Sequence, residues 1–461
     1  MTPTTFRGLL VRSLSFVLLA AAASAALLTP TLLPAGQKKK TAPEEWTSPE
    51  LPGGESVVTD SSDAFVKVPE GVKLRDGVTV AKAAPTIDFA YLPGQTYAGK
   101  PWSAWGESTF ADGKYYASVG DHLAPAGTAR VYEYDPDAKS FRQLVDVKKL
   151  LNLPDGHYVP GKIHTRLVMG GDGRLYFGTH RGSTRVTTDQ YHFQGDWIVR
   201  VDPKTARAEV LARGPVPKHC IPTGTLDPDR LIFYGGTSPG EGKDEGNGVH
   251  FFAYDVRKRR VLCDVPDGPK RAMILANSTG RVYYTKASSD ELVRYDPAKG
   301  GDPVPIPGKI GIRAASGETR DGVVYTVSTG AEPVLYAFDT KTEKVTELGN
   351  PAVGAATYIT ALQVDPTGRY LYYIPGAHGS ADRDGSPVVQ YDTKTRTRKV
   401  IAFLHPFYKE KYGVAPVGSY SYALADGKDL YVTWNANRGG RAWDVVAMTR
   451  IAIPASERAG Q

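Results

Sequence analysis

The chain has 461 residues, 41% of them hydrophobic, and a formal net charge of +7. That length exceeds what one compact core carries unless the fold adds a layer with each repeat, and that hydrophobic content excludes wholesale disorder. Gly 49, Pro 34 and Tyr 26 favour short strands and tight turns over long helices. No Lys/Arg tract resembles a nucleic-acid arm, so the modest positive charge points towards a smaller anionic partner.

In chain order, the first signal is an export segment. Arg7 and Arg12 precede the apolar run Ser15–Leu28, and Ala23-Ser24-Ala25 offers a small-residue cleavage site. The run is about 14 residues long, short for a membrane span. Residues 1–25 therefore read as a signal peptide, with 35 as the outer boundary because apolar character resumes through Leu33. An uncleaved anchor is the alternative reading. The expected location is secreted or periplasmic, with no stable membrane insertion after cleavage. Residues 37–63 read as a flexible polar leader, 64–454 as the folded domain and 455–461 as a tail.

Within 64–454 a unit repeats. A strand ending in Tyr-Asp-Pro or a variant of it recurs at Asp135, Asp202, Asp255, Asp296, Asp339 and Asp392. Each aspartate reads as the cap of a tight turn rather than as a catalyst. Before each such strand stands a hairpin, as in RLVMGGDGRLYFGTH and LQVDPTGRYLYYIPG, and seven hairpins can be counted once STFADGKYYASV and YALADGKDLYVTWN are included. Hairpin, third strand and fourth strand make a four-stranded antiparallel blade. The expected fold is an all-β, seven-bladed β-propeller. The seventh blade, Gly418–Pro454, lacks a fourth strand, and Phe65–Ala84 is expected to close the ring by supplying it. Cys220 and Cys263 fall on inner and outermost strands of one blade, too far apart for a disulfide.

Reading the hairpins in register collects one rim of the central channel. Blade 1 brings Trp105, Glu107 and His122. Blade 2 brings Lys162, His164, His180 and Arg181, and blade 3 brings Lys218, His219 and Tyr234. Blades 4 to 7 add Arg271, Arg313, Tyr358, Thr360, His378, Tyr420, Asn435 and Arg438. The opposite rim carries polar turns. A rim rich in His, Arg and Lys attracts an anion, and Arg pairs with carboxylate or sulfate through two parallel hydrogen bonds.

Such a face suits β-elimination on a uronate-linked glycan. That chemistry needs a cation on the sugar carboxylate, a base for the C5 proton and an acid for the leaving O4. The expected catalytic residues are His164, His180 and Tyr234. Lys162, Arg181, His219, Arg271, Arg313, His378, Asn435 and Arg438 are the expected substrate binders. The order His164, His180, Tyr234 resembles that of propeller polysaccharide lyases acting on ulvan, which place two histidines of one blade beside a tyrosine of the next. Oligogalacturonate lyases share the type. The resemblance implies a lyase cleaving an anionic polysaccharide or oligosaccharide. Those lyases also use an arginine soon after the tyrosine, where this chain has His250 and Arg257. Two other readings stand beside it. One is a non-catalytic propeller that binds a glycan or a protein. The other is a metal-dependent hydrolase of the gluconolactonase type, with Glu107 as a ligand. No metal is required by the lyase reading, but histidines facing one channel could hold Zn, Mn or Ca. A monomer without nucleic-acid partners is expected.

Overall fold

In the computed structural model, residues 49–95, 102–121, 127–241, 248–439 and 443–458 are described, and the segment expected to be a signal peptide and His122 lie outside them. Seven separate small sheets follow one another around a ring. Blade 3 shows the pattern most plainly. Its strands His219–Asp227, Ile232–Pro239, His250–Asp255 and Arg260–Pro266 pair with their sequence neighbours, all antiparallel. The expected seven-bladed propeller is the fold found. Among the described residues, no helix is long and apolar enough to cross a membrane.

Ring closure comes from the N-terminal side, but through a different segment from Phe65–Ala84. Thr86–Tyr91 lies antiparallel to Val445–Ala452, with Ile87 opposite Ile451 and Phe89 opposite Thr449. The reason lies in the two sequences. Phe65–Ala84 is interrupted by Pro69, Gly71 and Gly77, and only Val78–Val80 is extended; it joins blade 6, parallel to Thr397–Phe403. Thr86–Tyr91 buries Ile87 and Phe89, and Phe89 stacks on Tyr408 with 4.5 Å between ring centroids. The supposed leader also contributes. Val58–Ser61 adds a fifth strand outside Thr86–Tyr91, and Lys411 and Tyr412, at the end of the short helix Phe407–Tyr412 between blades 6 and 7, bond its buried Asp60 carboxylate. The chain end is docked as well, since Glu457 pairs with Lys399 at 2.7 Å and accepts the Lys82 N–H.

Neighbouring blades are joined by aromatic layers. Between blades 3 and 4, Phe251 stacks on Tyr284 at 4.9 Å, with Tyr234 and Tyr295 around them. Each such ring removed from water contributes about 1.5–3 kcal/mol. Cys220 and Cys263 are both buried, on the innermost and outermost strands of blade 3.

One irregularity positions the site. The first strand of blade 2 is broken between Lys162–Ile163 and Val168–Met169. In the gap, the Arg166 N–H donates to the Gly224 carbonyl of blade 3, and the Leu167 N–H to the Glu107 carbonyl of blade 1. The chain leaves its own sheet to bond with both neighbours. Gly106 makes that approach possible, because a Cβ there would stand 2.4 Å from the Thr165 carbonyl oxygen.

Candidate functional site

All seven blades contribute to one pocket at a mouth of the channel. Trp105 and Glu107 come from blade 1, His164 and Arg166 from blade 2, Arg271 from blade 4, Arg313 from blade 5, Thr360 from blade 6 and Tyr420 from blade 7. Thr223 and its neighbours supply the wall on blade 3. Both members of the pairs 105/107 and 164/166 line the pocket, each pair from a break in the innermost strand of its blade.

Arg166 crosses the channel. Its Nη2 donates to Glu107 Oε2 at 2.6 Å and to the Ala315 carbonyl of blade 5 at 2.7 Å, and its Nε adds a second bond to Glu107 at 3.0 Å. The Glu107 side chain is 16% exposed. Burial pushes its carboxyl above the usual carboxylate range, while Arg166 and Arg313 pull it back. Sequence reasoning overlooked Arg166 as a site residue; its place two residues after His164 was the available signal.

The opposite wall is aromatic and basic. Arg313 is 8% exposed, and its guanidinium donates through Nε to the Tyr358 hydroxyl at 2.7 Å and lies over the Tyr358 ring at 4.8 Å. Tyr420 and His378 share a hydrogen bond of 2.7 Å between Oη and Nδ1. Burial raises the Tyr420 phenol well above its ordinary value. His378 is held below the ordinary imidazole value by burial first, then by Lys162, Arg313 and Arg271. At neutral pH the pair is a protonated phenol beside a neutral imidazole. Trp105 sits among them, stacked near His164 at 6.0 Å, tilted to Tyr420 at 5.0 Å and covered by the Lys162 ammonium at 4.4 Å.

The expected residues divide. His164, Arg271 and Arg313 line the pocket, and Lys162 and His378 stand at its lip through Trp105 and Tyr420. His180 is 1% exposed and lies behind His164, with its ring edge-on at 5.5 Å. It does not line the pocket.

Tyr234 is not brought to the site. It is fully buried between blades 3 and 4, and its hydroxyl donates to the Gly280 carbonyl at 3.0 Å. In the sequence, Gly235-Gly236 reads as the end of a strand. Here the strand continues to Pro239, and Gly235 serves instead to admit the Phe252 ring, which a Cβ would meet at 2.2 Å. Tyr234 thus sits opposite Thr225, close to the turn and away from the rim.

Four expected binders serve the scaffold or a different edge. Arg181 is buried and donates to the carbonyls of Pro239 and Gly240 at 2.9 and 2.7 Å. Asn435 is buried and clasps the Ala104 backbone, accepting from its N–H at 2.7 Å and donating to its carbonyl at 3.1 Å. Arg438 lies on the outer side of blade 7, where its charge acts on Tyr91. His219 faces away from the pocket, with Nδ1 bonded to Thr237 at 2.8 Å and its ring edge-on to His250 at 4.9 Å. Its pKa is pushed down to about 4, chiefly by burial. The channel histidines do not gather as a metal cluster among the described residues. The donors that do converge are His180, Asp196 and Cys220.

Fold and site together define a seven-bladed β-propeller with a basic, aromatic pocket at one mouth of its channel. No family model matches the sequence, and no curated protein does. Among solved structures, an oligogalacturonate lyase in complex with manganese superposes with a TM-score of 0.52 at 12% identity, covering 84% of this chain and 97% of that one. The acylaminoacyl peptidase of Pyrococcus horikoshii gives 0.47 at 10% identity, over 77% of this chain and 53% of that one. A luciferin-regenerating enzyme gives 0.41 at 11% identity, over 80% and 95%. The likeness to the lyase, at 12% identity, is one of fold, and function must come from the site.

Proposed function

We propose that this chain is an exported lyase that cleaves an acidic, uronate-containing polysaccharide by β-elimination in the channel-mouth pocket, acting as a monomer. The observation that carries the reading is the convergence of Arg271 and Arg313 with His164 and the Tyr420–His378 pair in one pocket whose carboxylate, Glu107, is already bonded to Arg166.

Arg271 and Arg313 bind the sugar carboxylate, and their charge makes the C5 proton more acidic. His164 takes that proton. The C5–H electrons become the C4=C5 double bond, the C4–O4 bond breaks, and Tyr420 gives its proton to the departing O4. His378 stands behind Tyr420 to exchange the proton. Burial favours this division, since it keeps Tyr420 protonated and His378 neutral. Trp105, Lys162 and the lip residues stack and steer the sugar. The role that sequence reasoning gave to Tyr234 passes to Tyr420, and His180 supports His164 from behind.

The test is ultraviolet absorbance of the unsaturated uronate product, recorded with ulvan, polygalacturonate, alginate and glycosaminoglycans. The account expects absorbance to rise with one of these and not with the protein carrying Arg271→Ala and Arg313→Ala. A flat trace on all of them, with polysaccharide still bound, would make the pocket a non-catalytic binding site.

A further inference from the structure

Behind the pocket wall, three metal-type donors from two blades meet. His180 ends the second strand of blade 2, Asp196 directly precedes the strand Trp197–Asp202, and Cys220 lies on the innermost strand of blade 3. One donor atom of each lies within 4.8 Å of the others. Their exposures are 1%, 0% and 0%, so bulk water does not compete.

The carboxylate is half satisfied. Asp196 Oδ1 accepts from the Tyr158 hydroxyl at 2.8 Å and from Thr179 Oγ1 at 2.9 Å. Its Oδ2 is buried and has no hydrogen-bond partner among the described residues. A carboxylate held in a closed interior with only His180 and Cys220 beside its second oxygen is costly, and a cation bound there would offset the cost. The frame is rigid. The Asp196 N–H donates to the His219 carbonyl at 3.0 Å, and Thr179 Oγ1 accepts the Trp197 N–H at 3.0 Å. Arg181 Nη1 stands 4.0 Å from Cys220 Sγ, anchored on two carbonyls.

We propose that His180, Asp196 and Cys220 form a zinc site that ties blade 2 to blade 3. Imidazole, thiolate and carboxylate suit zinc better than manganese or calcium, and the two anions balance its charge. Tyr158 and Thr179 orient the carboxylate from outside the ligand set. Three protein donors leave a fourth position for a water. Because His180 packs edge-on against His164 at 5.5 Å, the metal would also hold the wall that positions His164. The site is independent of the reaction proposed for the pocket.

Metal content and a cobalt(II) spectrum of the full-length folded protein test this without any substrate. The expected results are one zinc per chain after zinc supplementation, and on cobalt exchange a thiolate-to-metal charge-transfer band that Cys220→Ser abolishes. Tyr158→Phe is expected to keep the band with metal affinity lowered about tenfold or more. Chelator should lower the melting temperature of the native protein and leave that of Cys220→Ser unchanged. Should Cys220→Ser fail to fold, the native protein decides alone: folded protein with little zinc and no cobalt–thiolate band overturns the proposal. Stoichiometric zinc that persists in both Cys220→Ser and Asp196→Asn overturns it too, by placing the metal elsewhere.

Discussion

The two rims of the propeller are built from the same hairpins and do opposite things. On one rim the repeat is strict. Asp135, Asp202, Asp339 and Asp392 each accept two backbone N–H groups two and three residues on, at 2.8–3.4 Å, and Asp255 and Asp296 accept one each, at 2.9 and 3.1 Å. On the other rim nearly every blade offers something different at the matching place: Glu107, Arg166, Arg271, Arg313, Thr360, Tyr420. What repeats serves the fold, and what departs from the repeat makes the site.

The sharpest way to break this contrast is to exchange effects between the rims. Tyr420→Phe, or Arg271→Ala with Arg313→Ala, is expected to lower turnover by about 10²–10⁴-fold, the range of a lost acid or base, while the melting temperature moves little. Steady-state rates beside thermal melts would check it. On the capping rim the pattern should reverse. Asp339→Ala is expected to cost about 1 kcal/mol, the usual net worth of a hydrogen bond, with the rate unchanged.

That cost should depend on pH in a fixed direction. The N–H groups of Thr342 and then Lys341 hold the Asp339 carboxyl below its ordinary value, against a smaller opposing effect of burial. A carboxyl lowered on folding stabilises the protein above its unfolded pKa and loses that contribution as pH falls through the folded one. The stability gap between native protein and Asp339→Ala should therefore close only in acid, below the ordinary value of 3.8, when followed by urea denaturation.

The smallest effect sharpens the comparison within the pocket. His378 is held below 6.5. With its neutral form the working one, His378 contributes to the acid limb of the rate profile below that value, beside the base His164, and His378→Gln shifts the limb. A limb unchanged in that variant assigns the titration to another group.

The fold was legible because its signal repeats: hairpins and the capping aspartates recur, and each copy supports the others. Ring closure was legible in kind but not in place: Phe65–Ala84 is broken by Pro69, Gly71 and Gly77, and Thr86–Tyr91, which packs Phe89 on Tyr408, takes the position. The site was half legible. His164, Arg271 and Arg313 follow from register alone. Tyr234 misled because Gly235 ends strands in sequence reasoning, whereas here it makes room for Phe252. Arg181 and Asn435 look like rim chemistry, yet their partners are backbone groups of distant blades. The His180, Asp196 and Cys220 cluster has no local spacing to announce it, as its members come from two strands and a loop.

The account turns on which tyrosine works, and one paired measurement decides it. Initial rates of unsaturated-uronate release would be compared for Tyr420→Phe and Tyr234→Phe on the polysaccharide the native protein cleaves. The account predicts that Tyr420→Phe loses nearly all activity while Tyr234→Phe keeps it at the cost of a lower melting temperature. Full activity in Tyr420→Phe, with Tyr234→Phe inactive but folded, would contradict it.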